Sequence, residues 1–360
     1  MQRINPQRIN TGRNSFLVPL ISILLGLLAG AIMMIAIGYD PVAGYLALFG
    51  GIFGSLYNIG ETLRAVTPLI YTGLAVAFAF RTGLFNIGVE GQFIIGQLTA
   101  AYIGAAWSLP PVVHALVAIL FAMLTAGAWA GIAGYLKARL QIHEVITTIM
   151  LNYIALNLSN YLIRAYFHGQ QENTPPIRPS ASLEMPILSQ LFDNARLHWG
   201  ILIAVGLAVI VYWLLFRTTK GYELRAVGFN PHAAEYAGMN VSRNVVTAMA
   251  VSGMLAGAGG AAETLGVYGY FGIQGGFSGV GFDGIAVALI GGNHPFGVIL
   301  SGLLFGSLSY GSSSMQRLEG IPTEIIRVVI ALIILFVAAA SFVQWLIGLF
   351  RRKGQEVKRS

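Results

Sequence analysis

FLVPLISILLGLLAGAIMMIAI, from Phe16 to Ile37, carries no charged side chain. It is long enough to cross a bilayer, which takes roughly 20 apolar residues as a helix. It starts too far into the chain for a cleaved leader, and no A-x-A site follows. The stretch therefore reads as a retained helix with its N-terminus inside, and runs like it recur along the chain. Of 360 residues, 56% are hydrophobic and 10% charged, whereas a soluble domain is about a quarter charged. We therefore expect an all-α fold, a polytopic transmembrane helical bundle with broken segments.

The net charge of +7 is not a nucleic-acid signal. Eight of the 21 Lys and Arg sit in short tails: Arg3, Arg8 and Arg13 at one end, Arg351, Arg352, Lys353, Lys358 and Arg359 at the other. Basic tails of this kind stay on the cytoplasmic side. The chain has no cysteine, which excludes disulfides, thiolate metal sites and cysteine nucleophiles.

Taken in order, Tyr39–Arg64 is mixed and reads as an external surface helix or partial re-entry. Val66–Phe80 is a short run ending at Arg81. Leu84–Trp107 is interrupted at Asn86–Gln92, and Val112–Leu136 leads to Lys137 and Arg139. His143–Arg164 crosses outward, and the proline-rich residues 165–198 form an external loop. Trp199–Phe216 returns the chain to a cytoplasmic loop, 217–243. Asn244–Ala262 goes out, followed by the glycine-rich Leu265–Phe282 and the short Asp283–Gly292. Phe296–Tyr310, a polar turn at Gly311–Pro322 and Thr323–Leu349 complete the chain. This gives about ten crossings, an even count that puts both basic tails inside. The expected organisation is a tail at residues 1–15, a transmembrane domain at 16–350 and a tail at 351–360.

A weak internal echo supports a repeat. GLFNIGVEGQ (Gly83–Gln92) and GFSGVGFDGI (Gly276–Ile285) each place one carboxylate, Glu90 or Asp283, among glycines in a broken apolar region. Paired interruptions point to a substrate pathway at the repeat interface, although 45 glycines make chance echoes easy. Other patterns carry little. Gly279-x-Gly281-x-x-Gly284 lacks the strand–turn–helix setting of a dinucleotide site, and His143-Glu144 lacks the second histidine of a zinc protease. The pairs Gly26/Gly30, Gly127/Gly131, Gly253/Gly257 and Gly302/Gly306 are helix-contact spacings. No Walker A sequence is present, so the chain does not bind ATP through a P-loop.

The loop GYELRAVGFNPHAAEYAGMN (Gly221–Asn240) is the longest polar interruption of the second half. Glu223–Val227 reads as one or two helical turns, Gly228 and Asn230-Pro231 as a turn, and His232–Tyr236 as a restarted helix. Such a shape suits docking of a soluble partner; the plain alternative is a solvated loop.

This loop, TPLIYTGLAVAFAFRTGLFNIGVEGQFIIGQLTA (Thr67–Ala100) and GFDGIAVALIGGNHPFGVILSGLLFG (Gly281–Gly306) together resemble the permease subunits of ATP-binding-cassette importers of the branched-chain amino acid and simple-sugar branch. Within it they are most similar to nucleoside permeases that work with lipoprotein binding proteins of the basic membrane protein type. The likeness runs from about Thr62 to Val343. It implies a second related permease, ATP-hydrolysing subunits, an external substrate-binding lipoprotein, a multi-pass place in a bacterial cytoplasmic membrane, and no cofactor. It implies no ATPase activity in this chain. It also makes the polar loop a coupling element docked in the ATPase, carried by Glu223, Arg225, Ala226, Gly228, Asn230, Ala233, Ala234 and Gly238. The long 165–198 loop departs from the bacterial sugar permeases.

A nucleoside is neutral, with hydroxyls at one end and an aromatic base at the other, so amides and aromatic faces suit it. Ionisable side chains in the hydrocarbon are costly unless they face water or a partner. Asn86, Glu90, Asn152, Asn157, Glu263 and Asp283 are the candidate pathway residues, each equally readable as a helix–helix polar contact. Glu90 and Asp283 are expected first as structural partners that accept glycine N–H groups or cap a helix N-terminus. Simple sugars or branched-chain amino acids are alternative cargoes. A proton- or sodium-coupled secondary transporter using Glu90 or Asp283 is the alternative mechanism.

Overall fold

The computed structural model describes residues 17–167 and 172–339. Both basic tails, and the end of the last expected span, lie outside the described residues. Among those described the chain is helical, with only two isolated backbone bridges of β type. The helices are α1 Leu17–Ile37, α2 Pro41–Phe53, α3 Leu56–Arg81, α4 Val89–Ala106, α5 Val113–Leu140, α6 Glu144–Ala165 and α7 Pro186–Leu191. There follow α8 Gly200–Arg217, α9 Thr219–Phe229, α10 Pro231–Tyr236, α11 Val241–Glu263, α12 Val280–Ile290, α13 Pro295–Glu319 and α14 Thr323–Ala338.

Among the described residues, six helical stretches are long and apolar enough to cross a membrane: α3, α5, α6, α8, α13 and the run Val241–Tyr268 that begins with α11. Residues 21–37 of α1, together with α2 and α12, are shorter apolar helices. Several expected boundaries move. The mixed run Tyr39–Arg64 contains α2 and the opening turns of α3, because the Ser55 hydroxyl accepts the Asn58 N–H at 3.1 Å and starts α3 there. The interruption expected at Asn86–Gln92 ends at Gly88, since α4 already holds Glu90 in its first turn. Most of the expected polar turn Gly311–Pro322 is the last part of α13.

The glycine-rich Leu265–Phe282, expected as a crossing broken at Gln274 and Ser278, is interrupted over a longer stretch. A π-helical turn, Thr264–Tyr268, ends at Gly269 with φ +70°, and regular helix resumes only at Val280. Glycine is the residue that tolerates this backbone, and a π turn commonly marks a functional site.

The chain divides into two compact units. One contains residues 17–51 and 311–339 among those described, where α1 packs on α14. The Tyr45 hydroxyl donates to the Leu27 carbonyl at 2.6 Å. The other, Ile52–Tyr310, is built around α11, which contacts α3, α4 and α5. A Cβ at Gly257 would run into the Ala122 carbonyl oxygen. Close backbone approach through small residues replaces the hydrophobic drive that lipid cannot supply.

In this second unit the segment after residue 171 runs antiparallel to the irregular stretch after α11. Backbone bonds link Ile273 N to Glu172 O (3.2 Å), Thr174 N to Phe271 O (2.9 Å), Ile177 N to Gly269 O (2.8 Å) and Leu183 N to Leu265 O (2.9 Å). Non-helical backbone is tolerated within a membrane protein only where protein or a wet cavity satisfies it. Here the loop satisfies it.

Candidate functional site

The irregular stretch 269–279 forms one wall of a cavity of about 270 Å³. Phe93 and Gln97, one turn apart on α4, face it from one side, and Glu263 at the end of α11 from another. Tyr268, Tyr270 and Phe271 supply aromatic surface. Three polar atoms on its lining residues are buried without a hydrogen-bond partner: Gln97 Oε1, Gln274 Oε1 and Glu263 Oε2. All three are acceptors. Buried polar groups are almost always paired, so this cavity suits a ligand that brings N–H or O–H donors and a flat apolar face.

Each wall is fixed by specific bonds. Asn160 clamps Gln274, its Nδ2 donating to the Gln274 carbonyl at 2.8 Å while its Oδ1 accepts the Gln274 N–H at 2.9 Å. Glu90, fully buried, accepts the Ser278 hydroxyl at 2.8 Å, the Gly279 N–H at 2.9 Å and the Gly281 N–H at 2.6 Å. Its carboxylate therefore caps α12 across the two breaks, where the helix dipole favours negative charge. The two acids of the internal echo both occupy the first turn of a helix.

Glu263 sits at the end of a chain of charges. Arg196 donates from Nη2 to Glu61 Oε2 at 2.8 Å, and its backbone N–H reaches Glu61 Oε1 at 2.8 Å. Arg64 Nε bonds the same Glu61 carboxylate at 2.8 Å, and Arg64 Nη1 lies 3.8 Å from Glu263 Oε1. The Glu61 carboxylate raises the Arg196 guanidinium above its usual value. His198, two residues further along, is buried and pushed down to about 4, chiefly by desolvation and then by Arg64.

The other expected pathway residues are placed differently. Asn86 is fully buried; its Nδ2 donates to Gln92 Oε1 (2.9 Å) and Ser252 Oγ (2.8 Å), and its Oδ1 accepts the Gly88 N–H (2.9 Å). Asn152 bonds the Gly91 N–H at 2.8 Å and the Ile87 carbonyl at 3.0 Å. Both side chains thus hold the break before α4. Asn157 is exposed and bonds the Tyr153 carbonyl of its own helix. Asp283 is half-buried in α12. Of the six, Glu263 alone is a lining residue of the cavity. Gln274 reads in the sequence only as an interruption of the glycine-rich run and Gln97 not at all, because a lone glutamine in an apolar run carries no spacing signal and their convergence is tertiary.

At the polar loop, α9 is started by Thr218 Oγ1 accepting the Gly221 N–H (3.0 Å) and α10 by Asn230 Oδ1 accepting the Ala233 N–H (3.0 Å). The helix–turn–helix is present, but its turn is Asn230 alone. Gly228, expected in the turn, lies inside α9, where a Cβ would strike the Arg81 carbonyl oxygen. Arg225 donates to the Leu215 carbonyl at 3.0 Å and lies 5.1 Å from the Phe216 ring centre. Arg81 covers that ring at 5.5 Å and holds the Asn293 carbonyl at 2.7 Å. Glu223 pairs with Lys220 at 2.8 Å and takes Asn244 Nδ2 at 3.2 Å, and the Lys220 ammonium holds its carboxyl below the usual range. Ala226 is half-buried, Ala233 exposed and Ala234 buried, while Gly238 ends α10 at φ +82°. Phe229 and Tyr236 are 86% and 97% exposed. Among the described residues no cluster of three or more His, Asp and Glu could hold a metal ion.

Residues 58–338 match the family described as the permease component of branched-chain amino acid transport systems. The guanosine ABC transporter permease NupP of Bacillus subtilis is 51% identical, over 94% of this chain and 97% of its own. The nucleoside ABC transporter permease NupB of Lactococcus lactis is 40% identical, over 98% and 97%. The glucose ABC transporter permease TsgB13 of Haloferax volcanii is 34% identical, over 98% and 96%. No solved structure matches the chain.

Proposed function

The chain belongs to the permease family of branched-chain amino acid transport systems, and from that membership we propose that it is a membrane-spanning permease subunit of an ATP-driven importer carrying nucleosides. The observation that carries the cargo class is the cavity beside α4 and α11, with its aromatic faces and three unpaired acceptors. Aromatic rings accept a base, and free acceptors accept hydroxyl and amino donors. Two relatives named for nucleoside or guanosine transport, at 40% and 51% identity, support the same reading.

The chain would cross a bacterial cytoplasmic membrane about ten times, with α12 and the irregular stretch before it making one broken crossing. The 165–198 loop would lie outside and the 217–243 loop inside. A second related permease, ATP-hydrolysing subunits and an external binding lipoprotein would complete the importer, and the chain itself would hydrolyse nothing. Coupling would run through α9 and α10, whose Phe229 and Tyr236 offer uncovered aromatic surface to the ATPase. From there it would pass through Gly228 to the backbone at Arg81 and Gly83, just before the break that leads into α4.

Copurification from mild detergent, followed by reconstitution with its binding lipoprotein, tests this. We expect an ATP-hydrolysing subunit to accompany the chain, and guanosine uptake to require ATP. Accumulation that survives ATP depletion and follows a proton gradient would replace this reading with secondary transport.

A further inference from the structure

A nucleoside carries two different sources of donors, and the cavity distinguishes between them. All its unpaired atoms are acceptors: Gln97 Oε1, Gln274 Oε1 and Glu263 Oε2. Among nucleosides the donors on the base edge change with the base, whereas the 2′- and 3′-hydroxyls are common to every ribonucleoside. Unpaired acceptors on three side chains fit the constant part. Carboxylates pair with vicinal hydroxyls in just this way where dinucleotide sites hold a ribose.

The Glu263 carboxylate is also oriented. Its Oε1 faces Arg64 Nη1 at 3.8 Å, and Arg64 is itself fixed by a 2.8 Å bond to Glu61. Glu61 is 1% exposed and is held in turn by Arg196. Oε1 is therefore directed to the charge chain, the Tyr268 hydroxyl bonds the carboxylate as well, and Oε2 has no partner of its own. Resting on the nucleoside reading above, we infer that Glu263 is a specificity-determining residue that reads the ribose hydroxyls of the cargo, with Arg64 as its positioning residue. The permease thereby adds a ribo-over-deoxyribo selection to whatever its binding lipoprotein imposes.

The test is a ratio. In the reconstituted importer with its binding lipoprotein, uptake of guanosine is compared with uptake of 2′-deoxyguanosine and of inosine. The lipoprotein is the same in every variant, so any change in a ratio belongs to the permease. Glu263→Gln, which keeps shape but replaces one acceptor oxygen by a donor, should lower the guanosine to 2′-deoxyguanosine ratio about tenfold, the worth of one charge-assisted hydrogen bond. Gln97→Met leaves the charge chain intact and should lower the same ratio in the same direction. Arg64→Lys, which keeps the charge but loses the guanidinium fork, should lower it less than Glu263→Gln. Variants that assemble and transport with an unchanged ratio overturn the inference while leaving nucleoside transport standing. A shift confined to guanosine against inosine overturns it in favour of base-edge reading. An importer that carries no nucleoside overturns the functional reading as well.

Discussion

The carboxylate of Glu90, in the first turn of α4, accepts the backbone N–H of Gly281, in the first turn of α12, at 2.6 Å. Residues 191 positions apart in sequence thus join two helix starts that each follow an interruption. Glu90 is not a lining residue of that cavity, yet Ser278 and Val280 of the segment that it holds are. An acid that looks in sequence like a pathway charge is in three dimensions the clamp on a cavity wall.

Removing that clamp should cost more than removing its charge. Glu90→Ala leaves the Gly279 and Gly281 N–H groups and the Ser278 hydroxyl without their acceptor, and buried donors left unpaired cost about 1–3 kcal/mol each. We expect thermal unfolding in detergent to fall by several degrees for Glu90→Ala. Glu90→Gln retains one acceptor oxygen and should keep substantial ATP-driven uptake. Loss of accumulation with intact exchange in Glu90→Gln would instead mark Glu90 as a proton carrier.

At the polar loop, two kinds of substitution should separate. Phe229→Ala and Tyr236→Ala remove exposed aromatic surface and leave the fold alone, so ATPase copurification should weaken by about tenfold with unchanged thermal stability. Gly228→Trp drives a side chain into the Arg81 carbonyl oxygen and should reduce folded yield before it affects any partner. Normal assembly and uptake of Phe229→Ala with Tyr236→Ala would make the loop a solvated connection.

His198 makes stability depend on pH in a defined window. Its side chain is pushed from 6.5 to about 4 by burial and then by Arg64, so below pH ~6.5 the unfolded chain binds the proton that the folded chain refuses. Stability should be full near pH 7 and fall as pH drops from ~6.5 towards 4, with a limiting slope of about 1.4 kcal/mol per pH unit. Thermal scans of His198→Gln should lack this component of the slope. An identical slope in that variant would assign the pH dependence to other groups.

Single-cysteine labelling fixes the sidedness, helped by the absence of native cysteine. Labels at Lys137 and Lys220 should report the cytoplasm and a label at Glu184 the outside. Arg13, Gln171 and Lys353, equally useful probes of the topology, lie outside the described residues. A cytoplasmic signal at Glu184 would remove a crossing on each side of the 165–198 loop and overturn the count of about ten.

What the sequence makes legible follows from the range of the interactions involved. Long apolar runs are local, so α6, expected from His143 to Arg164, spans Glu144–Ala165, and α8 likewise falls within a residue of its expected bounds. Turn chemistry is local too, and Asn230-Pro231 marks the junction of α9 and α10. The break in Leu265–Phe282 is marked locally by Gln274 and Ser278, but its extent is not. Its backbone is paired with residues 172–183, a partner that no window of sequence around it contains. Gly228 misleads for a similar reason. A glycine that permits a turn and one that permits close backbone approach look alike until the Arg81 carbonyl is in place. The cavity was least legible, since Gln97, Glu263 and Gln274 come from three separate segments.

The pairing of the 172–183 segment with 265–273 also bears on the order in which the chain is made. Synthesis runs from the N-terminus, so Thr174, Ile177 and Leu183 emerge well before Phe271, Gly269 and Leu265, the residues whose carbonyls their N–H groups bond. Between them α8 and α11 must be threaded into the bilayer. During that interval the earlier segment waits with those backbone groups hydrated, and the cavity has no wall. A nascent chain halted before Leu265 should therefore leave 172–183 open to protease, and the same segment should close once residues 265–273 have left the ribosome. Arrival of one short irregular stretch, late in translation, closes the cavity beside α4 and α11.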